Sequence, residues 1–257
     1  IDGEVINDIL EAANLQKDDI VVEIGAGLGF MTEQLVKYAK KVVAIDLDED
    51  MIKELKKIDA PNLEIVHADI LKTDISQFGE NIKIVANIPY YITSPILAHL
   101  LGEIDDLDNK NRKAISEIVM MTQFEAAKRI VADEKSEGKA FGLLSVLAQF
   151  NAEVEMVRFV KAKSFFPAPK VNSAVIKFTV RKEPLLKLSD YSFFRKVIRA
   201  CFGTRRKNIK NSLAIGGFSK DAVVKTLEEL NIPEATRGET LSIEQTGQLS
   251  EKLKENL

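Results

Sequence analysis

Four short, largely apolar runs, 20–24, 41–45, 63–67 and 82–86, alternate with stretches whose apolar residues recur at helical spacing. The first such stretch carries Ile6, Ile9, Leu10 and Ala13; others cover 30–39 and 51–58, and a helix starts at Ser94-Pro95, with proline at an early position. A fifth strand is expected at 115–121, helices at 124–132 and 141–148, and a final strand pair at 154–160 and 174–180. A polar connection covers 105–112 and a charged loop 133–139. Strands that alternate with helices predict an α/β fold with a Rossmann-like sheet. After Arg181-Lys182-Glu183-Pro184, which reads as a linker, only helical spacing remains, at 191–202, 205–214, 220–230 and 243–253. The chain therefore divides into an α/β domain, 1–182, and a small all-helical domain, 183–257.

Composition narrows this picture without changing it. At 46% hydrophobic and 29% charged the chain has the make-up of an ordinary globular protein. One cysteine, Cys201, excludes an internal disulfide and a cysteine-cluster metal site, and fits a reducing cytoplasm. No apolar run approaches the ~20 residues of a membrane span, and no signal peptide is visible. The sequence opens with Ile1 rather than Met, which points to a start upstream. Net charge is −3, yet 191–220 holds no acidic residue and carries Arg195, Lys196, Arg199, Arg205, Arg206, Lys207, Lys210 and Lys220. Such a run in an acidic chain reads as a contact for a phosphate backbone.

Candidate chemistry clusters at strand ends. The first strand runs into Gly25-Ala26-Gly27-Leu28-Gly29, and the second ends at Asp46, about 20 residues on, placed for the two hydroxyls of a ribose. No Lys-Ser or Lys-Thr follows the glycines, which excludes a phosphate-cradling loop. Glu23, before the first glycine, disfavours a pyrophosphate and suits a cationic nucleoside such as S-adenosylmethionine. Asp69 follows the third strand, where it either accepts from an adenine amine or caps a turn. Neither His67 nor His99 has neighbours that complete a metal set. The fourth strand ends in Asn87-Ile88-Pro89-Tyr90. This set is either a plain Asn-x-Pro turn or a site for a flat aromatic ring with an exocyclic amine, in which Tyr90 stacks on the face while the Asn87 side-chain oxygen and a backbone carbonyl beside Pro89 accept the amine hydrogens. Pro167 and Pro169 hold 164–171 extended. Phe165 and Phe166 there either clamp a base opposite Tyr90 or sit in the core.

Taken in order, the motifs Glu23-Ile24-Gly25-Ala26-Gly27-Leu28-Gly29, Asp46, Asp69, Asn87-Ile88-Pro89-Tyr90, Phe165-Phe166-Pro167-Ala168-Pro169-Lys170-Val171-Asn172-Ser173-Ala174-Val175, the stretch from Arg199 to Lys207 and Arg237-Gly238-Glu239-Thr240-Leu241-Ser242 resemble the small-subunit ribosomal RNA adenine dimethyltransferase family over essentially the whole chain. The basic stretch and the Arg-x-Glu-x-Leu-Ser stretch match it better than the sister resistance enzymes that act on large-subunit RNA. The resemblance implies a class I S-adenosylmethionine-dependent methyltransferase sheet and no metal. The implied activity is transfer of methyl groups to N6 of two adjacent adenosines in the 3′-terminal hairpin of small-subunit rRNA. It also implies a cytoplasmic, monomeric enzyme whose partner is a precursor of the small subunit.

Carried over residue by residue, Glu23 and the glycines Gly25, Gly27 and Gly29 hold the methionine part, Asp46 the ribose, and Asp69 with Ile70 the adenine. Asn87, Pro89 and Tyr90 hold the target amine, Phe165 is the second stacking partner, and Arg199, Arg205, Arg206, Lys207 and Lys210 bind RNA. In the family a Gly-Gln-Asn-Phe-Leu stretch that helps close the pockets lies just before the position of Ile1. Three rivals stay open: a large-subunit rRNA adenine methyltransferase, a non-catalytic ribosome-assembly factor, and an amine or glutamine methyltransferase. The last is disfavoured by Ile88, where those enzymes carry proline.

Overall fold

The structure, a computed structural model, describes residues 3–88, 90–137, 140–165, 168–204 and 206–257. Pro89, Phe166, Pro167 and Arg205 lie outside the described residues, and of Tyr90 only the backbone is described. The chain forms two compact units. One comprises Ile1–Gly102, Asp108–Lys128 and Ala152–Lys182; the other comprises Glu103–Leu107, Arg129–Asn151 and Glu183–Leu257.

The first unit is built on seven strands: β1 (Ile20–Ile24), β2 (Lys41–Asp46), β3 (Leu63–His67), β4 (Ile82–Asn87), β5 (Ile115–Gln123), β6 (Ala152–Val160) and β7 (Ser173–Val180). Their order across the sheet is β3-β2-β1-β4-β5-β7-β6. The first five are parallel; β7 runs antiparallel to both β5 and β6. Strands covered on both faces favour apolar residues at nearly every position, which is why β1, β2 and β4 appear as largely apolar runs, broken inside only by Glu23 and Lys83. At the sheet edge the residues of β6 between its buried ends alternate exposed with half-buried, Glu153, Glu155, Val157 and Phe159 being the exposed ones.

Helices α1 (Gly3–Ala13), α2 (Thr32–Tyr38), α3 (Glu49–Leu55), α4 (Thr93–Leu101) and α5 (Lys110–Ala114) cover this sheet. Val5, Ile9 and Ala13 of α1 pack with Val21, Val42, Val85, Val119 and Val175 in one buried cluster. Asp48 caps α3 by accepting from the Asp50 backbone N–H at 2.8 Å. The segment expected as a plain polar connection contains α5. Asn109 caps that helix, and the Asn111 side-chain oxygen accepts from the Ile75 N–H at 2.8 Å. The Asn109 cap starts a five-residue helix in a segment with no apolar periodicity to announce it.

Next along the chain come α6 (Phe124–Val131) and α7 (Leu143–Asn151). The second unit joins α7 to α8 (Tyr191–Gly203), α9 (Ile209–Ile215), α10 (Lys220–Glu229) and α11 (Ile243–Glu255). Here the sequence-based boundary needs correction. The break after Lys182 coincides with a unit boundary, but 103–107 and 129–151 pack with the helical unit. The reason is apolar surface: Phe141, Val146 and Phe150 are buried in one cluster with Phe194, Phe202, Leu213 and Leu249. Ring contacts of Phe150 with Phe194 at 5.7 Å and of Phe141 with Phe202 at 5.4 Å lock them there. The helix expected over 205–214 begins at Ile209, because Asn208 caps it by accepting from the Asn211 N–H.

The Arg-x-Glu-x-Leu-Ser stretch is a packing device in this unit. Gly238 sits so close to the backbone of Cys201 that a Cβ on it would lie 2.4 Å from the Cys201 carbonyl oxygen. Ser242 then starts α11 through a capping box with Gln245. Gly238→Ala, which forces that backbone apart, is expected to cost roughly 1–3 kcal/mol and to lower the melting temperature by several degrees. A thermal melt unchanged from wild type would show that the contact yields freely.

Candidate active site

The strand order reverses between β1 and β4, since the chain fills the sheet outward from β1 through β3 and then returns to β1's other side. At such a reversal the loops leave in opposite directions and open a crevice beyond the carboxyl ends of the strands. The register pairs Ile24 with Ala86, so Gly25 and Asn87 are the next residues at the mouth. They are in close approach: a Cβ on Gly25 would stand 2.8 Å from the Asn87 carbonyl oxygen. Gly25 also has φ +72°, a left-handed conformation that glycine alone adopts cheaply. Its N–H donates to the Ile45 carbonyl at 3.0 Å, tying the glycine loop to the end of β2 as well.

A cleft of about 250 Å³ lies here. Asp46, Asp69 and Asn87 contribute its polar groups, and Ile70, Ile92 and Ile96 part of its apolar wall. Asp46 is fixed by two backbone N–H groups, from Gly27 to Oδ2 at 2.8 Å and from Asp48 to Oδ1 at 2.9 Å. Each oxygen keeps a free lone pair for a ligand hydroxyl. Asp69 answers to both of its sequence readings: it lines the cleft, and it caps the turn Ile70–Lys72 by accepting from the Leu71 N–H at 3.0 Å. Asn87 is the exposed last residue of β4.

No lysine or arginine lines the cleft among the described residues. Two carboxylates, an amide and apolar walls suit a ligand that is cationic, bears hydroxyls and ends in a flat base; a pyrophosphate would find no positive partner. S-adenosylmethionine fits that description. The charge argument from sequence therefore holds with a different acid. Glu23 is 3% exposed and lies outside the cleft lining. Its carboxylate accepts from the Thr32 hydroxyl, at the start of α2, at 2.5 Å. Burial, with the nearby Asp46 charge adding to it, pushes the Glu23 pKa up to about 8, against the lowering effect of the Thr32 bond. Glu23 is thus largely protonated at neutral pH and acts behind the loop.

Other expected residues divide. Gly27 and Gly29 shape the loop; a Cβ on Gly29, φ +84°, would stand 2.6 Å from the Ile58 side chain. Phe165 is half-buried against the cluster of α1 and the sheet and does not line the cleft. This packing agrees with the core reading that the sequence left open. Among the cleft residues that sequence reasoning passed over, Leu47, 67% exposed, and Tyr91, 85% exposed, are the most open to solvent. Each had a signal, an apolar residue inside the acidic stretch Asp46–Asp50 and a second aromatic directly after Tyr90. In the helical unit Arg199, Arg206 and Lys207 are exposed, whereas Lys210 is paired with Glu234 at 2.7 Å. Among the described residues no group of three or more histidine, cysteine or acidic side chains is placed to hold a metal. Nor is any described helix long and apolar enough to cross a membrane.

A carboxyl held at a pKa of about 8 in the folded chain and near 4.5 when unfolded keeps its proton longer in the folded state. Stability is therefore lost as pH rises between those values, by an amount on the order of a few kcal/mol. Glu23→Gln, a neutral isostere, removes that loss. Its melting temperature is expected to gain on wild type progressively from pH 5 to pH 8.5; a gap that stays constant across the range would overturn the assignment.

A family model described as ribosomal RNA adenine dimethylase matches residues 1–255. A protein of Clostridium acetobutylicum named ribosomal RNA small subunit methyltransferase A is 40% identical, with 98% of this chain and 90% of that one aligned. Its namesake from Shouchella clausii is 40% identical over 98% of this chain and 86% of its own. Among solved structures, a dimethyladenosine transferase from Plasmodium falciparum superposes with a TM-score of 0.80 at 27% identity, covering 96% of this chain and 94% of that one. The 23S rRNA methyltransferase ErmE superposes with a TM-score of 0.76 at 29% identity, over 99% and 98% of the two chains.

Proposed function

For a chain that belongs to the ribosomal RNA adenine dimethylase family, we propose dimethylation of N6 on two adjacent adenosines in the 3′-terminal hairpin of small-subunit rRNA. The donor is S-adenosylmethionine and the substrate a precursor of the small subunit in the cytoplasm. The observation that carries the chemistry is the meeting of Gly25, Asp46, Asp69 and Asn87 at one cleft where the strand order reverses. The small-subunit target is supported by the relatives: those named for it are 40% identical, whereas the large-subunit enzyme ErmE is 29% identical with nearly the same fold. Fold alone favours neither.

S-adenosylmethionine brings an already activated methyl on a sulfonium. Asp46 holds the ribose hydroxyls, and Asp69 with Ile70 holds the adenine. The Gly25 loop approaches the methionine part closely because it has no side chain there. The N6 amine of the target is a poor nucleophile, since its lone pair is delocalised into the ring. The Asn87 side-chain oxygen and a carbonyl beside Pro89 accept its two hydrogens. This favours a pyramidal nitrogen and stabilises the positive charge that develops on it. Holding the amine in line contributes up to ~7–11 kcal/mol in ideal cases. The methylated amine loses its proton readily, so the site needs no strong base. Extruding the base costs a few kcal/mol, and stacking on Tyr90 offsets roughly 1–3 of them. Phe165 acts as a second stacking partner only if it leaves its packed position.

Two measurements test this reading. Small-subunit particles that lack the modification, incubated with the full-length protein and tritiated cofactor, are expected to carry label on two neighbouring adenosines near the 3′ end. Unlabelled small-subunit particles, with label appearing on large-subunit RNA offered in a parallel reaction, would favour the rival. Asn87→Ala is expected to retain cofactor binding and to lose roughly 10²–10³-fold in kcat, the scale for removing one preorganised polar contact. Near-normal turnover in that variant would remove Asn87 from the mechanism.

A further inference from the structure

The helical unit contains a cavity of about 500 Å³ that the reaction at the sheet does not use. Ser192, Lys196, Arg199 and Gly203 form one wall; their spacing of three or four residues sets them along a single stripe of α8. Ser212, Ile215 and Gly216, from the end of α9, form the other. The two walls meet closely at Ala200 and Gly216, where a Cβ on Gly216 would stand 2.5 Å from the Ala200 Cβ.

Its charges are unequally committed. Arg195 is held by Glu103 at 3.2 Å and Asp105 at 3.3 Å, and Asp105, the one acid on the wall, is thereby neutralised. Lys196 lies 4.8 Å from the centroid of the Phe218 ring, which orients its ammonium without cancelling its charge. Arg199 has no ion pair among the described residues. Among the described residues two cations therefore remain available at the rim. Beside them stands Ile215, 62% exposed, an apolar side chain with no cover in its own unit. Thr204 and Ser212 bring a hydroxyl pair, 2.8 Å apart.

A flat electrostatic face for RNA needs only the cations. A concave site with an apolar edge, hydroxyls and two cations matches one nucleotide taken out of its stack. We propose that this cavity binds a single unstacked nucleotide of the RNA strand. Its phosphate lies on Lys196 and Arg199, its base against Ile215, and its ribose 2′-hydroxyl within reach of Thr204 and Ser212. A site for the 2′-hydroxyl distinguishes RNA from DNA. The proposal rests on the reading that the helical unit binds rRNA, and it adds a shape requirement to a contact otherwise read as charge alone.

Shape and charge are separable because a Cβ on Gly203 would meet only open space. Gly203→Leu fills the cavity and removes no charge. Binding of an unmodified small-subunit rRNA fragment is measured across a salt series for wild type, Gly203→Leu, Ile215→Ser, Arg199→Gln and the pair Arg206→Gln with Lys207→Gln, which lies outside the cavity. Thermal melts check folding. Expected are a tenfold or greater loss for Gly203→Leu and a several-fold loss for Ile215→Ser, both with the salt slope unchanged. Arg199→Gln is expected to weaken binding and lower the slope by about 0.7–0.9, one phosphate contact. Should Gly203→Leu melt early, the exposed Ile215→Ser decides in its place. Wild-type affinity in the uncharged variants, with a reduced slope in Arg206→Gln/Lys207→Gln, overturns the nucleotide site and leaves the RNA-binding reading standing. Wild-type behaviour in every variant overturns both.

Discussion

The site depends on one close approach, that of the Gly25 backbone to the carbonyl of Asn87. Parallel pairing of β1 with β4 brings the two strand ends level, and the left-handed φ of Gly25 lets the loop turn without a side chain in the way. Everything the cleft offers is hung from that juncture. The glycine loop bonds to Ile45 at the end of β2, and Gly27 donates to the Asp46 side chain, so the loop after β1 is fastened to the end of β2 by two hydrogen bonds. A Cβ at Gly25 would push the glycine loop away from the end of β4. The constraint is steric before it is chemical.

Electrostatics follow the same geometry. The sheet's parallel strands leave two carboxylates, Asp46 and Asp69, at adjacent tips, with no cation among the described residues that line the cleft. Glu23 is carried one residue too far back to join them, and burial keeps it largely protonated. Its bond to Thr32 links β1 to the first residue of α2, so it stiffens the loop from behind. A neutral acid in that position spares the loop a buried charge that would be costly without a partner.

The helical unit separates two roles that its sequence runs together. Some of the stretch that looks most diagnostic is packing: Gly238 fits against Cys201, and Ser242 caps α11. The acid-free run is divided in turn. Arg195 and Lys210 are spent on Glu103, Asp105 and Glu234, while Lys196 and Arg199 stand at a cavity, and Arg206 and Lys207 at the surface. Equal charges along a chain become unequal once folding chooses their neighbours.

The strands of the sheet were legible because a strand buried on both faces favours apolar residues nearly throughout, and the glycines, Asp46 and Asn87 because strand ends carry chemistry in this class of sheet. Local chemistry also announced the linker at 181–184 and the turn cap at Asp69. What sequence could not decide was which apolar surface meets which. Helix α7 reads as a member of the sheet domain and instead buries Phe150 beside Phe194, because burial rewards any matching surface regardless of distance along the chain. Phe165 could as well have faced a base as the core, and packing alone turned it inward. Leu47 and Tyr91 became cleft residues only when β2 and β4 were placed around β1. Periodicity and turn chemistry are local and survive in the sequence; burial, protonation and the choice of ion-pair partner are properties of neighbours, and only the tertiary structure supplies those.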